Sequence, residues 1–382
     1  RAKLPFFQLR RRHVAHAPAP ERRPRSSAEA LTMRIVVNHR HAAHAGRQEM
    51  HRGRLVDCVE TPARQDLVAQ ALKAAGFSDC VTADDARSAT LALLPRIHQA
   101  GYLQFLETAW SRWCALAPAN AAQDLLPDVW PTRGMRHDRL PANFAAQVGY
   151  HAFDSGSPIT AGTWSAALQG ACCAVKAAHA VARGEVRSAL ALARPPGHHA
   201  GPDFFGGYCF LNNAALAAQA LRDAGAQRVA VLDIDYHHGN GTQAIFESRG
   251  DVLTLSIHGD PQTEYPFFIG HADELGQGDG LGANRNWPLP RGTGFRAWRE
   301  ALGEAIDAVR DWQADALVVP MGLDTFHGDP ISGFTLATAD FKVIGADLAA
   351  LHLPTVFTLE GGYATSAIGE NAAELLCAFI RS

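Results

Sequence analysis

The sequence predicts an α/β domain built on a mostly parallel central sheet with helices on both faces. Three observations point there. Strand-like and helix-like segments alternate along most of the chain. The strands are short, unbroken apolar runs such as Val229 to Leu232, the pattern of strands buried on both faces. Polar clusters follow four of these runs, and open α/β sheets bind ligands at that end of their strands.

In chain order, Met33-Arg34-Ile35-Val36-Val37 reads as the first strand. Thr61-Pro62 is a cap and first-turn pair for an amphipathic helix running to about Ala75, with Gly76 as its stop. Helices follow at Tyr102 to Leu116 and Thr163 to Ala182, then a strand at Ser188 to Ala193 and a helix from Asn213 to Ala224 ended by Gly225. Strands at Val229 to Ile234 and Val252 to Ile257 come next, then a helix from Phe295 to Gln313 and a strand at Ala316 to Pro320. A helix at Thr338 to Leu351, a strand at Thr355 to Leu359 and a last helix reaching Phe379 complete the series. The glycine run Gly276 to Gly282 joins no strand to a helix and has no following Lys-Ser/Thr, so it reads as a flexible surface loop and not a phosphate cradle.

With 382 residues and 47% hydrophobic content, the chain can bury a substantial core. Residues 1–32 hold eight Lys/Arg against two Glu and read as a basic, disordered extension, which places the domain at 33–382. The remainder carries 27 basic and 36 acidic residues, a balance that suits cationic substrates and argues against a nucleic-acid partner. Seven cysteines with no C-x-x-C pair read as reduced thiols of a cytoplasmic protein. No stretch of 18 or more apolar residues suggests a membrane span.

Chemistry concentrates after the four strands. Arg194-Pro195-Pro196-Gly197-His198-His199 follows the first, and Asp235, His237, His238 and Asn240 the second. Asp324 and Asp329 follow the third, and Glu360-Gly361-Gly362-Tyr363 the fourth. In a parallel sheet all four converge on one edge. Alternation along a strand places Asp235 and His237 on one face, so both can bind one ion. With Asp324 they supply three ligands and leave a position for water, as catalytic zinc sites do. Such an ion polarises a carbonyl and acidifies bound water. His198 and His199 can relay the proton, and Tyr363, on a Gly-Gly turn, can donate to an oxyanion. Each part alone has a plainer reading as a loop, a helix cap or a turn. Together they describe a hydrolase of amide-like bonds.

At these residues the sequence resembles the histone deacetylase superfamily, and most closely its bacterial acetylpolyamine amidohydrolase-like branch. The motifs are Arg194 to Ala200, Gly206 to Asn213, Asp233 to Gln243, Gly322-Leu323-Asp324-Thr325 and Glu360 to Tyr363. The resemblance implies a single-domain, three-layer arginase–deacetylase fold. It implies Zn2+, with Fe2+ as an alternative ion, held by Asp235, His237 and Asp324. It makes His198 and His199 an acid/base pair oriented by Asp233 and Asn240, and Tyr363 the carbonyl-polarising group. Tyr208 and Tyr265, with Gly207, match the substrate tunnel. A structural K+ would take main-chain carbonyls of Asp233, Asp235 and His237, with Ser256 and Ile257 nearby. The segment His41 to Glu60 resembles a dimer-forming insertion, which implies a homodimer.

The implied reaction is metal-dependent removal of acetyl or other short acyl groups from small cationic amines such as acetylpolyamines. Polyamine deacetylases of the family place acidic residues before the helix at Thr163. Here the stretch Ala145 to Gly156 offers only Asp154, so acetyl-lysine or another acyl amide is the alternative substrate. A two-manganese ureohydrolase would need further carboxylates where Gly239 and Phe326 stand. A silent acyl-binding module would be expected to lack one of His198, His199 or Tyr363.

Overall fold

The structure, a computed structural model, describes residues 33–382. The expectation of a disordered extension at 1–32 lies outside the described residues. Ten strands and ten α-helices are described: β1 (Met33–Val37), β2 (Gln48–His51), β3 (Arg54–Asp57), α1 (Ala63–Ala74), β4 (Cys80–Val81), α2 (Arg87–Leu93), α3 (Ala100–Leu116), α4 (Phe144–His151), α5 (Thr163–Ala182), β5 (Ser188–Leu192), α6 (Asn213–Asp223), β6 (Val229–Asp233), α7 (Asn240–Phe246), β7 (Val252–Gly259), β8 (Asn284–Leu289), α8 (Phe295–Asp311), β9 (Ala316–Met321), α9 (Thr338–Ala349), β10 (Thr355–Leu359) and α10 (Ile368–Arg381).

Eight strands form one sheet in the order β4-β1-β5-β10-β9-β6-β7-β8, with every pairing parallel. Every residue of β5, β6, β7, β9 and β10 is buried, so their side chains alternate between two cores. Ala189, Ala191, Val229, Val231, Val318 and Val356 face the core under α5 and α6. Leu190, Leu192, Ala230, Leu232, Val319 and Phe357 face the opposite core, with Trp298, Leu302 and Ile306 of α8 and Leu375 and Leu376 of α10. Helix α8 buries residues at the i, i+3, i+4 spacing of a one-sided helix. Helix α5 is buried nearly all round, and its alanines permit close approach to the sheet. Helices α9 and α10 also cross closely, since a Cβ on Gly345 would sit 2.0 Å from the Leu375 carbonyl oxygen.

Most predicted elements are present, with ends shifted by one to a few residues. Helix α1 begins at Ala63 with no side-chain cap at the boundary residue Pro62, so the expected Thr61 cap is not made. The glycine run lies at the surface as a loop, tied down by a 3-10 turn at Gly278–Gly280, by buried Gly280 and by Gln277 N–H donating to the Glu247 carbonyl (2.6 Å). The sequence reading did not name β2, β3, β4, β8, α2, α4 or α7. β8 carries Pro288, which only an edge strand tolerates. The segment His41 to Glu60 contains the antiparallel hairpin β2-β3, whose strand β3 is exposed throughout.

Phe357 is fully buried on β10 and meets Phe379 edge-on at 4.9 Å. Phe357→Ala should destabilise the domain by about 3–5 kcal/mol, read as a lowered midpoint in chemical denaturation.

Candidate active site

The four strands that precede the polar clusters are neighbours, in the order β5-β10-β9-β6. Because they run parallel, the segments leaving their carboxyl ends meet at one sheet edge. Strand β6 stops at Asp233, which corrects the alternation argument for Asp235 and His237. Those residues lie in the following loop. They are brought together by local bonds, with Asp235 N–H donating to Asp233 Oδ1 (3.0 Å) and His237 N–H to Asp235 Oδ1 (2.8 Å).

Asp235, His237 and Asp324 each present a ligand atom, all within 4.8 Å of one another and all buried. His237 Nδ1 lies 3.0 Å from Asp324 Oδ2 and 3.4 Å from Asp235 Oδ1. Two backbone donors fix the carboxylates from outside: Tyr236 N–H to Asp324 Oδ1 and Gly361 N–H to Asp235 Oδ2, both 2.8 Å. Burial and the neighbouring Asp235 push the Asp324 carboxyl above the usual carboxylate range. Two oxygen donors and an imidazole in a dry pocket fit a divalent cation.

The two histidines sit beside this cluster with ring centroids 4.0 Å apart, and their environments differ. His198 Nδ1 is 2.9 Å from Asp233 Oδ2. Burial opposes its charge, but Asp235 and Asp233 prevail and raise it to about 10. His199 Nδ1 is 2.6 Å from Asn240 Oδ1, an acceptor, so this nitrogen carries the proton and Nε2 keeps its lone pair. Burial, then His198 and His237, hold His199 well below the usual imidazole range. Their surroundings thus push the two imidazoles in opposite directions.

Tyr363 follows Gly362, whose φ of +118° requires glycine. A Cβ on Gly361 would meet Asp324 Oδ2 at 2.5 Å and Asp235 Oδ2 at 2.6 Å. Tyr363 N–H donates to Asp329 Oδ2 (2.7 Å), and the Arg64 guanidinium lies over its ring at 4.6 Å. Burial keeps the phenol protonated, and so a donor. Tyr208 meets the Tyr363 ring edge-on at 5.6 Å, and the Tyr265 ring meets His199 at 5.3 Å. Gly207 is set by space: its Cβ would fall 2.1 Å from the His199 ring. Phe153, not singled out from sequence, stacks on Tyr265 at 5.8 Å.

Several supporting residues escaped sequence reasoning. Glu60 bridges Arg64 and Arg194, each at 2.8 Å, deep in the interior. Arg194 also donates to the carbonyls of His41 and His44 (2.6 Å each), and Arg64 to those of Gly362 and Glu360. Glu360 Oε2 accepts from Gly197 N–H (2.6 Å) and His198 N–H (3.0 Å), tying β10 to the histidine loop. The only available signals were the i, i+4 spacing of Glu60 and Arg64 and the Arg that opens the His-His motif.

Ser256 pairs in register with Asp233, and its hydroxyl lies 2.8 Å from His258 Nδ1. Ile257 is buried next to it, and a small cavity there is lined by Asp233, His238, Ser256 and Asn286. A second ion beside the first has no carboxylate at Gly239 or Phe326, and a Cβ on Gly239 would strike Asp233 Oδ2 at 2.3 Å.

Residues 58–379 match the histone deacetylase domain. The chain is 47% identical over 347 residues to acetylpolyamine amidohydrolase 2 of Pseudomonas aeruginosa, covering 91% of this chain and 98% of that one. It is 43% identical to acetylpolyamine amidohydrolase of Mycoplana ramosa, over 90% and 98% of the two chains. The crystal structure of acetylpolyamine aminohydrolase from Burkholderia pseudomallei superposes with a TM-score of 0.85 at 39% identity, over 91% and 98%.

Gly361→Ala tests the packing behind the cluster. The added methyl group must displace Asp235 or Asp324, so the purified variant should hold markedly less divalent metal by elemental analysis.

Proposed function

The chain belongs to the histone deacetylase family, and from that premise we propose that residues 33–382 form an amidohydrolase that removes acetyl or other short acyl groups from small cationic amines such as acetylpolyamines. One observation carries the reading: two buried carboxylates and an imidazole converge beside two further imidazoles, held by Asp233 and Asn240, and a phenol.

Asp235, His237 and Asp324 would hold Zn2+ or Fe2+. A divalent cation there supplies a Lewis acid for the acyl carbonyl and lowers the pKa of water. His199 Nε2 takes the proton from attacking water, because Asn240 fixes the tautomer that leaves this nitrogen free. His198, held by Asp233, stabilises the negative charge that builds up during attack. The proton then passes to the departing amine nitrogen. Tyr363 donates from its hydroxyl to the developing oxyanion, with Arg64 over the ring and Asp329 on the backbone fixing its position. Tyr208, Phe153 and Tyr265 provide aromatic surface for an apolar methylene chain.

Acetyl-lysine peptides are the second reading. Both Asp154 oxygens are already engaged, by Gly156, Ser157, Gly207 and Tyr265, so Asp154 is not free to bind a distal ammonium. A monovalent cation, K+, near Asp233, Asp235, His237, Ser256 and Ile257 belongs to the same proposal. So do a cytoplasmic location and a homodimer. In support, the described residues contain seven unpaired cysteines and no helix long and apolar enough to cross a membrane. Exposed Leu55 and Val56 on β3 offer apolar surface to a second copy.

The deciding experiment is hydrolysis by metal-loaded protein of acetylated putrescine, cadaverine and spermidine against acetyl-lysine peptides. Faster turnover of the peptides than of every acetylated amine would overturn the substrate assignment. Tyr363→Phe should retain metal and lose about 10²–10³-fold in kcat, as removal of one oxyanion donor does. Asp324→Ala should strip the metal, read by elemental analysis; a variant that binds it like the parent would show the ligand set to be wrong.

A further inference from the structure

Tyr236 stands between Asp235 and His237 and is fully buried. Its N–H donates to Asp324 Oδ1 at 2.8 Å, its carbonyl accepts from Gly259 N–H at 2.8 Å, and its ring meets the His237 ring edge-on at 5.0 Å. The phenol hydroxyl lies between Gly259 and Gly333, where an added Cβ would fall 3.0 Å and 2.8 Å from it. The same two points lie 2.9 Å from Glu264 Cγ and 3.0 Å from Arg291 Cζ, so the hydroxyl sits beside a carboxylate and a guanidinium. It is nevertheless buried with no hydrogen-bond partner among the described residues. Phenylalanine would fill this space without leaving a polar group unpaired, so packing alone does not account for a tyrosine.

Glu264 is buried too, and its Oε2 accepts from Arg291 at 2.9 Å, while Oε1 accepts no hydrogen bond among the described residues. The terminal torsion of a glutamate is soft, which makes that oxygen available to the neighbouring hydroxyl. Resting on the metal site proposed above, we infer that the Tyr236 hydroxyl donates to Glu264, and that Tyr236, Glu264 and Arg291 are positioning residues for the metal ligands. Holding the tip of the Tyr236 ring fixes the rotation of the short loop that carries Asp235 and His237. The Asp324 oxygen oriented by the Tyr236 N–H is fixed with it. Groups behind the ligands orient metal sites in this way generally. The anchor also joins other parts of the site. Glu264 directly precedes Tyr265 of the tunnel wall, and Arg291 donates to the Ser332 carbonyl (3.2 Å), three residues beyond the Asp329 that holds Tyr363 N–H. The ligands, the wall and the phenol thereby keep a common register. A plain surface ion pair would account for Arg291, which reaches solvent, but not for the buried hydroxyl beside it.

The test is Y236F, which removes one oxygen and keeps the ring, alongside E264L, E264Q and the double variant Y236F/E264L. Zinc affinity is measured by competition with a chromophoric chelator, and ligand geometry by the visible absorption of the Co2+-substituted proteins. Y236F should bind zinc about tenfold or more weakly, as loss of an outer-shell partner does, and its cobalt spectrum should differ from that of the wild type. E264L should lose affinity similarly, and the double variant should be no weaker than E264L alone. E264Q, which still offers an oxygen to the hydroxyl, should stay within about threefold of the wild type, since a neutral acceptor serves a neutral donor. Unchanged affinity and spectrum in Y236F overturn the inference, even where its melting temperature falls, and leave the metal site and the deacylase reading intact. Losses that simply multiply in the double variant overturn the coupling of Tyr236 to Glu264. A wild type that takes up neither zinc nor cobalt overturns the metal site and this inference with it.

Discussion

The site depends on one recurrent interaction: carboxylates at the sheet edge accept backbone N–H groups, several of them from a neighbouring loop. Asp235 takes the amides of His237 and Gly361, Asp324 that of Tyr236, Glu360 those of Gly197 and His198, and Asp329 those of Ile331 and Tyr363. Loops leaving four strands are thereby stitched into one rigid body by acids that would be prohibitively costly to bury alone. The same bonds orient the oxygens that remain free. Structure and chemistry use the two ends of the same side chains, so the site is built to hold its geometry before substrate arrives.

Behind this layer, Glu60 with Arg64 and Arg194 forms a second fixture. A buried ion triad is a poor source of net stability but a strict positional device, because each member left alone would be an uncompensated charge. Its arginines reach the carbonyls of Gly362, Glu360, His41 and His44. The loop that carries Tyr363 is thus tied to the segment that leads into the hairpin.

Much of this was legible in the sequence, for reasons specific to particular elements. The buried strands were visible because Val229 to Leu232 and Ala316 to Val319 are unbroken apolar runs, whereas their order in the sheet was not read from the sequence. The reacting groups were visible because His198, His199, Asp235, His237 and Tyr363 sit immediately after such runs. The supports were not. Glu60, Arg64 and Asp154 act through partners up to 298 positions away, and no local spacing encodes such pairs. Strand β8 escaped because Pro288 and the preceding glycines read as loop, and the hairpin because its exposed strands lack an apolar face. The strand-alternation argument grouped Asp235 with His237 for the wrong reason: a tight loop does so, once β6 has ended.

Asp154 anchors both aromatic sides of the entrance, with one oxygen shared between Gly207 N–H and the Tyr265 hydroxyl, each at 2.7 Å. The aperture therefore behaves as a single mechanical part. A substitution that shifts one wall pulls the other through this shared atom, so width cannot be retuned one side at a time.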